Sequence, residues 1–316
     1  MNALLNMKDQ QLMLDGILNW LHTNISHFCT PDEKQYVGIH PEEIKPDITR
    51  KAFTELGLAI RFAQKSKKVS NHPIFIEIKD KWIKNIKDSS FFFDTKRRLR
   101  LFPHRTLAYA TLKSLGINYE EVKYDLETVM SRNYMDRVER SAWDKLDMKY
   151  YTEIAQLPNE YPSYQRLFHD SILENLPSHS YAQNLDFYGL THLVFHLSNF
   201  SENDMKLITK EKFDQIQEYI DATLSLCLIE QDWDLVQELL INQYCMRKTF
   251  TELDIFSANA IKDIQQPQGF IPGRHWVKNQ HKEDYSSKEQ HSFEDVYHPT
   301  ILGLFLLILE LKDTNE

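Results

Sequence analysis

His192 and His196 stand four residues apart in the stretch from about Tyr181 to Phe200, whose apolar residues recur at helical spacing. On a helix the two imidazoles share one face about a turn apart, an arrangement that suits two ligands of a single metal ion. Leu193 follows the first histidine, so the glutamate that acts as general base in zinc-protease helices is missing. His298, close to the carboxy terminus, completes a candidate metal set of His192, His196 and His298, for which a zinc or iron ion is the fitting cofactor. In the enzyme interpretation His192 and His298 are the catalytic groups, with Asp186, Tyr188, Thr191 and Tyr297 as nearby residues able to bind or orient. The structural alternative makes His192 a neutral core histidine bonded to Thr191 or Tyr188. His298 is then the cap of a last helix that starts at Pro299.

A second concentration of chemistry lies at Lys96, Arg97, Arg98 and Arg100, just after Phe91, Phe92 and Phe93. Basic side chains beside aromatic rings can hold a phosphate or an acidic peptide, and Arg97 and Arg98 are the binding candidates there. The competing expectation is a solvated loop whose arginine stems cover apolar surface. Cys29, Cys227 and Cys245 show no short-spaced pairing and read as reduced thiols. Glycine-rich dinucleotide fingerprints, phosphate loops and nucleophile elbows are absent from the sequence.

The elements that must position these residues are helices. Among 316 residues, 42% hydrophobic, there are 8 glycines and 11 prolines, too few for the many tight turns of a large sheet protein. The periodicity predicts an all-α chain of about twelve helices, joined by short connections into antiparallel hairpins. Such hairpins build an α/α toroid or, as the alternative, an open helical solenoid; no fixed-period repeat favours the latter. Without an evident linker the chain reads as a single domain over 1–316. One irregular excursion, at about 265–297, carries Pro267, Gly269, Pro272, Gly273, His275, His281 and His291.

The net charge of −9, from 46 acids and 37 bases spread along the chain, argues against nucleic acid as a partner. Lys8, Asp9 and Asp15 break any export signal core, and Ile301 to Leu309 is about half of a membrane span, so a cytoplasmic protein without a membrane partner is expected.

The segment Leu185 to Phe195, read as Leu-Asp-Phe-Tyr-Gly-Leu-Thr-His-Leu-Val-Phe, resembles the Tyr-x-Leu-Thr-His-x-x-Phe signature of an uncharacterised bacterial helical family. Tyr297-His298-Pro299-Thr300 resembles its late Tyr-His-x-Thr signature, and the segments 17–21 and 51–59 are also similar to it. Where that family continues with Thr-Asp-Phe-Gly, this chain has Ser198-Asn199-Phe200-Ser201. The resemblance implies a setting in natural-product or ribosomal peptide biosynthesis and no particular reaction. The leading expectation is therefore a binding or partner protein that holds a precursor peptide or a tailoring enzyme. The alternative is a histidine-based, metal-dependent enzyme with its site in a central cavity.

Overall fold

The computed structural model describes residues 3–39, 48–203, 205, 208–247, 249–274 and 289–312. Among them are thirteen α-helices and no strand, in agreement with the all-α expectation. In chain order the helices are α1 (Met7–Thr23), α2 (Ile48–Ala63), α3 (Lys67–Ser70), α4 (Pro73–Asp88), α5 (Phe102–Ser114), α6 (Glu120–Met130) and α7 (Ala142–Ile154). They continue with α8 (Tyr164–His169), α9 (Asn184–Leu197), α10 (Lys210–Glu230), α11 (Trp233–Met246), α12 (Glu252–Ile264) and α13 (Glu289–Glu310). None of the described helices is long and apolar enough to cross a membrane. Contacts group the chain into two compact units: Met1–Trp20 with Arg140–Asp147 and Pro162–Lys312, and Leu21–Glu139 with Met148–Tyr161.

In the first unit α11 is the central helix, packed against α9, α10, α12 and α13. Its Leu235, Val236, Leu239, Leu240 and Ile241 are buried, and so are the polar Gln237, Glu238, Asn242 and Gln243. A helix buried all round has no solvated face, so each of these polar groups requires an internal partner. The α10–α11 hairpin turns at Gln231, which takes left-handed backbone (φ 55°), and the Asp232 amide donates to the Cys227 carbonyl.

The last helix departs from expectation. It begins at Glu289 and runs through Pro299, so His298 sits mid-helix and is not an N-cap, and 289–297 of the supposed excursion are helical. Proline lacks the N–H that would bond the carbonyl four residues back, that of Asp295. Here the amide of Gly273 donates to the Asp295 carbonyl at 3.1 Å. One residue after the proline, Thr300 is fully buried; its hydroxyl donates to the Val296 carbonyl and accepts the Ile271 amide at 2.9 Å. The segment 271–273 thus supplies from the side the bond that proline removes. Only glycine fits at 273, because a Cβ there would lie 2.4 Å from the Asp295 oxygen. His275, His281 and the rest of 275–288 lie outside the described residues, as does the His291 side chain.

In the second unit α2 packs on α5 and also meets α3, α4 and the short helical turn Ile25–Phe28. Phe53 stacks on Trp82 at 4.8 Å, and the Trp82 indole donates to the Phe53 carbonyl. Glu33 is fully buried here and faces two guanidiniums, Arg50 at 2.6 Å and Arg98 at 2.9 Å.

His104, on α5, meets the Thr54 hydroxyl at 3.1 Å. Burial pulls its imidazole down to about 4, with Glu55 opposing and Arg50, Lys51 and Arg105 adding to the fall. Between 6.5 and 4 the unfolded chain therefore binds a proton at this residue that the folded chain refuses, so stability falls on acidification through that window. In urea titrations, His104→Gln is expected to flatten the dependence over that interval; a variant with the same slope as the parent would refute the assignment.

Candidate metal centre

Helix α9 is positioned at both ends of its site. At its start the Asp186 carboxylate accepts the Gln183 amide at 2.8 Å, closing the first turn, so this residue caps the helix. Toward the middle, Gly189 faces Trp143 of α7, where a Cβ would meet the indole at 3.4 Å, an ordinary contact. The Trp143 ring also meets the His192 ring edge-on at 5.3 Å. Four residues along α7 from Trp143, Asp147 faces the same histidine face.

Asp147, His192 and His196 each offer one ligand atom, and these atoms all lie within 4.8 Å of one another. The Nε2 of His196 is 2.7 Å from one Asp147 oxygen, and the Nδ1 of His192 is 3.3 Å from the other. Ligands held about 2.1 Å from one ion sit roughly 3.0–3.4 Å apart in octahedral or tetrahedral geometry, so these separations are close to the edges of a coordination sphere. The His196 and Asp147 side chains are 3% and 13% exposed, while His192 is 30% exposed, which puts the accessible side of the group at His192. Two imidazoles and one carboxylate are a donor set that suits zinc or ferrous iron and leaves positions for water or substrate.

The charges are strongly coupled. Burial pushes the Asp147 carboxyl up, but the two imidazoles outweigh it and hold the group well below the usual carboxylate range. Burial likewise pulls His192 down, and Asp147 followed by Glu238 reverses this, raising it to about 9 against opposition from His298. His196 stays below its ordinary value, because burial exceeds what Asp147 restores.

Beside this group lies a second pair. Glu238 of α11 is 1% exposed; one carboxylate oxygen accepts the Thr191 hydroxyl and the other lies 3.4 Å from Nε2 of His298. Thr191 also receives an Asn242 amide on its carbonyl at 3.1 Å, which ties α9 to α11. Against the cost of burial, His298, His192 and Thr191 together lower the Glu238 carboxyl.

The remaining expected residues are distributed. His298 pairs with Glu238 and is not among the three groups that converge as ligands. The Tyr188 hydroxyl is pushed far up by burial, then by Asp234, Glu238 and Asp232. Tyr297 is buried and stacks on Phe293 at 5.2 Å. Arg97 and Arg98 belong to the second unit; Arg98 is held by Glu33, and Arg97 is 85% exposed with Asp94 at 3.9 Å. Cys29, Cys227 and Cys245 form no disulfide, and burial drives the Cys227 thiol up to about 12.

A family described as a domain of unknown function (DUF6895) matches residues 14–308. The chain belongs to that family. The matched span of DUF6895 takes in Asp147, His192, His196, Glu238 and His298. No curated protein and no solved structure matches the chain significantly.

Two residues of the site, Asp147 and Glu238, escape a reading of the sequence that starts from histidines. Asp147 stands between the buried Leu146 and Met148, and Glu238 falls inside the apolar run of α11. An acid on a core-facing stripe is the available signal, since it is costly unless paired or bound to an ion.

Proposed function

We propose that the protein is a divalent-metal-dependent enzyme whose ion is held by Asp147, His192 and His196. The observation that carries this is the convergence of one carboxylate and two imidazoles at ligand-like separations, with His192 opening toward solvent. A bound ion would replace the proton that His192 otherwise holds and would supply a Lewis acid able to activate water or polarise a substrate oxygen. The histidines would orient it, with the Trp143 ring packed edge-on against His192.

A partner role in peptide biosynthesis has one supporting observation of its own. Exposed Arg97, with Tyr36, Phe93, Asp94 and Arg98, lines a hollow of about 500 Å3 in the second unit, where the Arg97 guanidinium, only loosely held by Asp94, is the group that would meet an acidic peptide. The bacterial, cytoplasmic, natural-product setting rests on sequence resemblance and composition, and closure of the helices as an α/α toroid on their hairpin order; the metal centre requires only α7 and α9.

Metal analysis of the purified chain tests the proposal. The parent protein is expected to hold close to one zinc or iron ion per chain, and Asp147→Asn and His196→Ala to lose it while circular dichroism stays helical. A parent without metal, or variants that bind it equally well, would sink the enzyme assignment.

A further inference from the structure

Two histidines four residues apart on a helix share a face, but that spacing does not fix their rings, because the χ2 torsion of an imidazole is broad. Neighbours outside the helix must set the ring planes before both nitrogens can meet one ion. For His192 one such neighbour is Trp143, edge-on at 5.3 Å. For His196 it is Phe200, also edge-on, with ring centroids 5.8 Å apart and planes at 70°. Phe200 and the His196 side chain are both buried, so this contact lies away from solvent. Phe200 in turn stacks on Phe195 at 5.1 Å and on Phe305 of α13 at 6.2 Å. An uninterrupted helix could not bring Phe195 and Phe200 together, because positions five apart point roughly 140° away from each other around its axis. The chain instead passes through three left-handed residues in succession, Asn199 (φ 46°), Phe200 (φ 49°) and Ser201 (φ 66°), none of them glycine. The turn is closed by the Phe200 amide on the Phe195 carbonyl and the Asn203 amide on the Ser198 carbonyl, each at 2.8 Å.

Resting on the metal centre argued above, we propose that Phe200 is a positioning residue of that centre, laid against His196 by the left-handed turn 199–201. Its ring restricts the rotation of the His196 imidazole, and so holds Nε2 on the side where the Asp147 oxygen stands at 2.7 Å. Phe200 supplies no ligand atom; it acts on the ion only through the histidine. Ending α9 requires one left-handed residue, a place that glycine usually fills. Two more, each unfavourable for an L residue, are accounted for by where they bring the phenyl ring.

Cobalt(II), titrated into the full chain after chelation, is the probe, because its visible bands report ligand geometry. The parent is expected to bind about one cobalt ion per chain, and Asp147→Asn to bind none. Phe200→Leu removes the ring and is expected to stay helical by circular dichroism, to bind cobalt roughly ten- to a hundredfold more weakly, and to shift the bands. Phe200→Met, closer in volume but without a ring plane, is expected to behave alike and is read in its place if the leucine variant does not fold. Phe305→Leu truncates the same stack while leaving Phe200 against His196; it is expected to lower the urea midpoint and to keep the parent's affinity and bands. The positioning role is overturned if the ringless variants show the parent's bands, if neither of them folds, or if Phe305→Leu shifts the bands as far as Phe200→Leu does, which would make the effect one of general packing. A parent that binds no cobalt, or an Asp147→Asn variant that binds it equally well, overturns the metal centre itself and the role of Phe200 with it.

Discussion

Glu33→Ala is expected to destabilise the protein by about 3–5 kcal/mol, the range for removing one partner of a buried ion pair. Glu33 is fully buried, and its carboxylate is met by Arg50 at 2.6 Å and by Arg98 at 2.9 Å, with the Arg98 guanidinium donating to the Glu33 carbonyl as well. Both arginines also lie near the Tyr36 ring, at 5.3 and 5.7 Å. Deleting the carboxylate leaves two cationic side chains deprived of the anion between them, in a place where water cannot substitute for it. Chemical denaturation of the variant and the parent measures the difference; a loss below about 1 kcal/mol would mean that this cluster behaves like a surface pair. Glu33→Gln is a useful companion, because it preserves shape and hydrogen bonding and removes only the charge.

Gly269→Ala is the second large effect, and its cause is steric. Gly269 has φ +99°, and a Cβ built on it would stand 2.0 Å from the carbonyl oxygen of Gly16 in α1. Two backbones approach here without side chains between them, held by Gln265, whose amide donates to the Met13 and Gly269 carbonyls. Strained backbone costs about 1–3 kcal/mol and overpacking about as much again, so a total of about 2–6 kcal/mol is expected. Gly116→Ala provides the control. That residue also has positive φ, +73°, but open space around it, so it should show the backbone cost of about 1 kcal/mol alone. Equal losses at the two positions would contradict the clash.

Gly116 also illustrates what the sequence makes legible. A glycine after an apolar helical stripe marks a helix end on local grounds, and α5 does close there, with the Ile117 amide on the Leu112 carbonyl. The α10–α11 turn is local in the same sense. Pro299 is not: whether a proline starts a helix or lies within one depends on who satisfies the carbonyl four residues back, and here that partner is Gly273, far away in sequence. The site divides along the same line. The i, i+4 spacing of His192 and His196 needs only a helix to put both on one face. Nothing in that spacing selects Asp147 from the chain's 46 acids, because the choice is made by how α7 packs on α9 through Trp143 and Gly189. His298 was visible as a candidate, but its carboxylate partner was hidden within a helix whose polar residues face inward.

The bond from the Gly273 amide to the Asp295 carbonyl turns the stretch between them into a ring of chain with both ends pinned. Both ends are backbone groups, so this pin does not depend on which side chains stand at 273 and 295 beyond the need for glycine at the first. The register of the turn that carries His298 is thus set by a residue from outside the helix.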